Sequence, residues 1–176
     1  FVRLAGDLPS FQKSFFRNFV AFFFALIILI RQKESFHIPK GNFKYLFLRS
    51  LIGTLGILGN FYAIDHLVLS DASMLNKMSP FFVIIFSFLI LKEKLTVFQG
   101  VAVVIAFVGS MFIVKPTFSN MDIVASTLGF LGGVSAGFAY TMVRILSKRG
   151  QNGSFIVFFF SAFSCLFTLP FMLFTY

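Results

Sequence analysis

Residues 70–95, SDASMLNKMSPFFVIIFSFLILKEKL, decide the fold of this chain. From Met78 to Leu91 almost every residue is apolar, and the run is continuous rather than alternating. About 20 apolar residues in a helix cross the hydrocarbon of a bilayer, whereas the strands of a membrane barrel alternate apolar and polar residues. The apolar stretch 72–91 therefore predicts a membrane-spanning helix.

The composition of the whole chain also indicates membrane spans. Its 176 residues are 58% hydrophobic and only 12% charged, with a mean hydropathy of +0.93 and 30 Phe. Soluble domains carry about 25% charged residues. We predict six spans with short connections, and therefore an all-α fold class, a polytopic transmembrane helical bundle. The predicted spans are 15–30, 45–64, 72–91, 97–114, 123–145 and 155–176.

Lysines and arginines are distributed unequally between the two sides of these spans. Ten lie in the segments 31–49, 92–94 and 144–149, and four lie in the segments on the opposite side. Because cytoplasmic loops of membrane proteins are rich in Lys and Arg, we predict that the three richer segments face the cytoplasm. The same rule accounts for the net charge of +9, so this charge does not indicate a nucleic-acid partner.

A short internal repeat connects the start of the chain with its last third. The sequence FVRL at 1–4 recurs as MVRI at 142–145, and the Phe-rich segments that follow also match. In this alignment Phe11, Phe15 and Phe16 correspond to Phe155, Phe159 and Phe160. The offset gives five spans per repeat, an odd number, so the two copies have opposite orientations in the membrane. Such inverted repeats are typical of secondary transporters.

The segment LNKMSPFFVIIFSFLILKEKLT at 75–96, followed by QGVAVVIAFVGSMFIVKP at 99–116, resembles the EamA family of the drug/metabolite transporter superfamily. The resemblance implies ten helices in two inverted five-helix repeats. Residues 1–118 would then be the first repeat without most of its first helix, and 119–176 the start of the second. On this interpretation the chain is a truncated fragment that lacks helices 8 to 10.

The resemblance further implies a secondary transporter of the cell inner membrane, a multi-pass protein that moves a small polar metabolite by alternating access. A passive channel or pore and a non-transporting membrane subunit remain as alternatives. We do not expect an enzyme. The sequence GVSAG at 133–137 matches the nucleophile motif of hydrolases, but it lies in an apolar helix rather than in the required strand–turn–helix. We expect no cofactor and no metal site.

Lys77 is the most informative residue for a binding site, because it lies inside a predicted span. A lysine at mid-membrane costs about 2.5–3.5 kcal/mol, so such residues usually face a cavity or a partner. We expect Lys77, with Asn76 and Ser79, to bind the substrate. The alternatives are a lysine that reaches the outer surface or one that pairs with Asp65. Pro80 removes one backbone hydrogen bond and predicts a kink beside these residues.

Other polar residues in the spans are weaker candidates for the same site. Asn60, Tyr140 and Ser135 are added to it, although a Tyr near a helix end is also an ordinary interfacial anchor. Arg17 and Asn18 are interpreted as an anchor at the outer surface or an external gate. The expected partners are the lipid bilayer and a small-molecule substrate, with no nucleic acid, and a homodimer is left open.

Glycines recur at helical spacing in two of the predicted spans. Small residues three or four apart allow the backbones of membrane helices to approach closely. We therefore predict that two sets of glycines pack against neighbouring helices. They are Gly53, Gly56 and Gly59 in one span, and Gly129, Gly133 and Gly137 in another.

Overall fold

The computed structural model of the protein describes residues 10–33, 38–39, 41–92, 96–114 and 122–174. Over these ranges the chain forms α-helices and no strand, which confirms the predicted all-α class. The helices are α1 (Ser10–Gln32), α2 (Asn42–His66), α3 (Leu69–Lys77), α4 (Ser79–Leu91), α5 (Val97–Val114), α6 (Ile123–Lys148) and α7 (Gly153–Phe174).

Five helical stretches in the described part are long and apolar enough to cross a membrane. They are Gln12–Gln32, Asn42–His66, Leu69–Leu91, Ile123–Lys148 and Gly153–Phe171. The predicted span at 97–114 coincides with α5, whose Val97–Gly109 part is apolar but shorter than the others. The chain is therefore a multi-pass membrane protein, as the composition predicted.

Two helices begin earlier than the apolar pattern indicated. Helix α1 begins at Ser10 rather than at residue 15, and α2 begins at Asn42 rather than at residue 45. The apolar pattern marks the part of a helix in hydrocarbon, whereas the backbone hydrogen bonds continue into the polar ends. As a result Lys44, which lies outside the predicted span 45–64, is on α2 together with Arg49, which that span includes.

The chain divides into two compact units, and α2 and α6 each contribute to both. The first unit comprises residues 1–54 and 142–176, so it contains α1, the first half of α2, the end of α6 and α7. Contacts of Phe15 with Cys165, Asn18 with Ser164, and Phe22 with Phe158 show that α1 and α7 run antiparallel. Its apolar core is formed by Leu29, Leu46, Leu146, Phe155 and Ile156.

The second unit comprises residues 55–141 and contains the rest of α2, the helices α3 to α5, and most of α6. Its core contains Ala63, Leu67, Ala72 and Ala125, with Tyr62, Ile64 and Leu75 packed around them. Most of these core residues are small, so the helices of this unit approach one another closely. Every residue that the sequence analysis assigned to the substrate site belongs to this unit.

Candidate functional site

The predicted span 72–91 is divided into α3 and α4 at Met78. The Met78 N–H donates to the carbonyl of Leu75 over 3.3 Å, and Phe81 N–H donates to the carbonyl of Met78 over 3.0 Å. Pro80 has no N–H to offer the carbonyl of Asn76, which would be its acceptor in a continuous helix. The expected kink therefore takes the form of an interruption in the α-helical hydrogen bonding, while Met78 keeps helical dihedrals (φ −72°, ψ −14°). We call this segment the α3–α4 joint and define it as residues 75–80.

The joint lies well inside the span rather than at its end. Helix α3 has nine residues, which correspond to about 13 Å of helix. Lys77 is the last residue of α3, and Ser79 is the first residue of α4. The sequence analysis thus placed its three main candidate residues at a position where the helix is interrupted within the membrane.

Glycines of α6 lie directly against the backbone of this joint. A Cβ atom added at Gly133 would lie 2.6 Å from the carbonyl oxygen of Leu75. One added at Gly137 would lie 2.9 Å from the carbonyl oxygen of Ser79. Ordinary contacts of a Cβ atom begin at about 3.4 Å, so only glycine allows this approach. The packing of α6 on the joint is therefore backbone against backbone.

The side chains at the joint are not enclosed by the helices of this unit. Lys77 and Asn76 are exposed, and Ser79 is half-buried. Their exposure is compatible with a cavity residue and with a residue that reaches the membrane surface. The role of these three residues in binding therefore stays a prediction.

The other candidates lie elsewhere in the unit. Ser135 and Asn60 are half-buried where α2 and α6 cross. A Cβ atom added at Gly56 would lie 2.9 Å from Ser135 Cβ. One added at Gly132 would lie 3.2 Å from the backbone nitrogen of Asn60. Tyr140 is 57% exposed. The candidates thus form one group at the joint and one at the α2–α6 crossing, and Tyr140 is an exposed residue of α6 three positions after Gly137.

The structure also shows buried polar residues that the sequence analysis missed in the first unit. Asn18 is 1% exposed, and its Nδ2 donates to Ser164 Oγ over 2.9 Å and to the carbonyl of Ser14 over 2.9 Å. Asn18 is therefore not an exposed anchor at the surface, and the gate alternative stays a prediction. The anchor interpretation did not allow for the start of α1 at Ser10, which places Asn18 two turns inside the helix.

A polar stripe could have revealed this contact from the sequence. Ser14 and Asn18 are four residues apart on α1, and several hydroxyl residues recur three or four apart on α7. Those on α7 are Ser161, Ser164 and Thr168, all of them buried. Residues at this spacing share one helix face, and in membranes such faces pack on each other.

Asp71, directly before the predicted span 72–91, is only 2% exposed. It lies in the first turn of α3, and the hydroxyl of Ser70 donates to its carboxylate over 3.3 Å. Arg49 is the second missed charge. It is half-buried on α2, and its guanidinium carbon lies 4.2 Å from the centre of the Phe160 ring. Neither residue could be placed from an apolar pattern alone.

Comparison with known proteins gives the family of the chain. The model of the EamA-like transporter family matches residues 1–115. The chain is 34% identical to the pseudopaline exporter CntI of Pseudomonas aeruginosa over 96% of the chain and 58% of that protein. It is 31% identical to human solute carrier family 35 member G1 over 86% of the chain and 44% of that protein.

An uncharacterized transporter of Helicobacter pylori is 28% identical over 94% of the chain and 56% of its own length. The chain therefore spans between 44% and 58% of the length of these curated relatives. No solved structure is significantly similar to the chain. The family match covers most of the sequence and includes the α3–α4 joint. The chain belongs to the EamA-like transporter family.

Proposed function

We propose that the full-length gene product is a secondary transporter of the cell inner membrane that moves a small polar metabolite, an amino acid or a related organic solute. Lys77, Asn76 and Ser79 bind the substrate at the α3–α4 joint, and the protein works by alternating access. The observation that carries this proposal is the interruption of a membrane span beside a lysine, in a chain whose relatives are named as transporters.

An interrupted span offers groups that a continuous helix does not. Transporters bind substrates near the middle of the membrane at discontinuous helices, where backbone groups are released from the helix. Here Pro80 leaves the carbonyl of Asn76 without its helical donor, next to the cationic side chain of Lys77. A carbonyl acceptor and an ammonium donor suit a solute that carries both an amino group and a carboxylate.

The test compares the full-length wild type with Lys77→Met at equal membrane levels. Metabolites inside and outside the cells are measured by untargeted mass spectrometry. A hydrogen bond to a charged group contributes about 1.5–3 kcal/mol, so transport at low substrate concentration should fall by about tenfold to a hundredfold. Lys44→Met is the matched control, because Lys44 is an exposed lysine on α2 that belongs to the first unit, whereas the joint belongs to the second. This variant should transport normally.

Two results would contradict the proposal at different levels. If Lys77→Met moves the same metabolite as well as the wild type, the assignment of the binding site is wrong, but the proposed transport function is not contradicted. If the wild type changes no metabolite, the transport function itself is wrong. Counterflow in vesicles separates a carrier from the channel alternative, since substrate on the far side accelerates exchange only through a carrier that alternates between two states.

A further inference from the structure

Four helix ends meet at one end of the first unit. Its core residues lie within four residues of the end of α1, the start of α2, the end of α6 and the start of α7, and they are Leu29, Leu46, Leu146, Phe155 and Ile156. In the sequence, the segments 31–44 and 144–151 at these ends contain seven basic residues and one acidic residue. This end of the unit therefore carries a surplus of positive charge.

One of these basic residues, Arg149, has a defined orientation although it is exposed. Its guanidinium carbon lies 4.5 Å from the centre of the Tyr45 ring, a cation–π contact, and its Nη2 donates to the Tyr45 hydroxyl over 3.3 Å. A Cβ atom added at Gly41 would lie 3.7 Å from Nη1, so the side chain extends from the turn after α6 to the residue before α2. A buried hydrogen bond of 3.3 Å from Asn42 Nδ2 to Gln151 Oε1 connects the same two segments. The guanidinium is therefore fixed over the start of α2.

Exposed aromatic residues on α2 indicate the depth of this arginine in the membrane. Phe43 is 57% exposed and Phe47 is 43% exposed, and their rings stack on each other one turn apart. Both also contact phenylalanine rings of α7. Lipid therefore begins beside the first turn of α2, and a tyrosine at the end of a span lies at the boundary between hydrocarbon and headgroups. Arg149 follows the end of α6 and lies against Tyr45, so its guanidinium is at the level of the lipid headgroups.

We propose that Arg149 and Tyr45 form a binding site for the phosphate group of an anionic phospholipid. The planar guanidinium offers parallel N–H groups that match phosphate oxygens, and the Tyr45 hydroxyl, which accepts from Arg149, can donate its own proton to a phosphate oxygen. Basic clusters at the cytoplasmic ends of membrane helices attract anionic lipids, and the distribution of Lys and Arg predicts that this end faces the cytoplasm. This site binds a lipid and not the transported solute, so it does not depend on the proposed transport function.

Lipid binding is measured on the full-length protein in a neutral maltoside detergent. Phosphatidylglycerol and phosphatidylcholine with the same acyl chains are added in separate titrations, and native mass spectrometry gives the dissociation constant of the first bound lipid. We expect the wild type to bind phosphatidylglycerol more tightly. Loss of hydrogen bonds to a charged group should weaken this binding in Arg149→Met by about tenfold to a hundredfold. Arg149→Lys keeps the charge without the planar fork, and Tyr45→Phe keeps the ring without the hydroxyl, so each should weaken it several-fold.

Arg31 supplies the matched control, because it is an exposed arginine in the last turn of α1, at the same end of the unit. Arg31→Met removes the same charge but leaves the pair of Arg149 and Tyr45 unchanged. An exposed charge acts weakly through solvent, so this variant should weaken the binding of phosphatidylglycerol by no more than about fivefold. An equal loss in Arg31→Met and Arg149→Met would mean that the summed charge of this surface attracts the lipid, and would overturn the proposal.

Three further results would also overturn it. The first is wild-type affinity in Arg149→Met, or in Arg149→Lys where the methionine variant does not fold. The second is equal affinity of the wild type for phosphatidylglycerol and phosphatidylcholine. The third concerns soluble phosphate, which offers the same oxygens. If inorganic phosphate or glycerol 3-phosphate binds as tightly as phosphatidylglycerol, and does so only when Arg149 is present, the ligand is a soluble anion and not a lipid. Transport is measured separately by counterflow, so its failure is distinguished from failure of the lipid site.

Discussion

Replacing Gly133 by alanine should destabilise the protein through one added methyl group. The new Cβ would lie 2.6 Å from the carbonyl oxygen of Leu75, so α6 and the α3–α4 joint must separate by about 0.8 Å to reach an ordinary contact. Backbone atoms cannot rotate away as a side chain would, and overpacking of this kind costs about 1–3 kcal/mol. The higher helix propensity of alanine returns up to about 1 kcal/mol. Compared with a glycine-to-alanine change in open space, which has the same gain in propensity, the expected loss of stability is therefore about 1–3 kcal/mol.

Gly100→Ala is the matched control, because Gly100 lies in α5 and an added Cβ there would have no neighbour within 4 Å. This variant gains only the helix propensity, so it should be as stable as the wild type or more stable by up to about 1 kcal/mol. Unfolding in SDS, followed by circular dichroism, gives both free energies. A stability of Gly133→Ala equal to or greater than that of Gly100→Ala would refute the close approach of α6 to the joint and the packing hypothesis built on it.

Two more substitutions test the polar contacts within the spans. Asn18→Leu removes the hydrogen bond to Ser164 and should lower the free energy of unfolding by about 0.6 kcal/mol, and by at most about 1.7 kcal/mol, in the same assay. The control Ser126→Ala loses only a hydrogen bond to the carbonyl of Asp122, four residues earlier, and should lower it by less. A cost for Ser126→Ala equal to that of Asn18→Leu would contradict this reasoning. Pro80→Ala supplies the N–H that a continuous helix would offer to the carbonyl of Asn76, so it should leave stability intact but slow counterflow several-fold. Unchanged counterflow would show that the interruption of the span is not needed for transport.

The sequence predicted the architecture well because hydrophobic length is a direct physical requirement of the bilayer. A helix in hydrocarbon must form the hydrogen bonds of its backbone groups internally and cover the backbone with apolar side chains, so each span is visible in the sequence as an apolar run. The position of the α3–α4 joint was also predictable, since Pro80 lacks the N–H group that a continuous helix requires. These features depend on neighbours along the chain and not on the arrangement of the helices.

The ends of the helices were less predictable, and this error had consequences for the polar residues. The start of α1 at Ser10 places Asn18 two turns inside the helix, where it is buried and donates to Ser164 of α7. The start of α2 at Asn42 places Lys44, which lies outside the predicted span 45–64, on the helix. A helix continues where its backbone is hydrogen-bonded, whereas the apolar pattern reports only where lipid begins. Polar residues near that boundary are therefore the ones that sequence analysis misplaces.

Polar side chains inside the spans differ in whether they can be satisfied within one helix. The hydroxyls of Ser50, Thr141 and Thr168 each donate to the carbonyl four residues earlier, so they need no other helix. Asn18 needs α7 to satisfy its amide, and the guanidinium of Arg49 lies on a ring of α7. In the sequence, residues of both kinds are visible only as polar positions. Contacts between helices are made by Asn18 and Arg49, and not by the hydroxyl bonds within one helix. For a transporter this distinction selects the residues to test first, because groups that reach beyond their own helix respond when helices move or when a substrate enters.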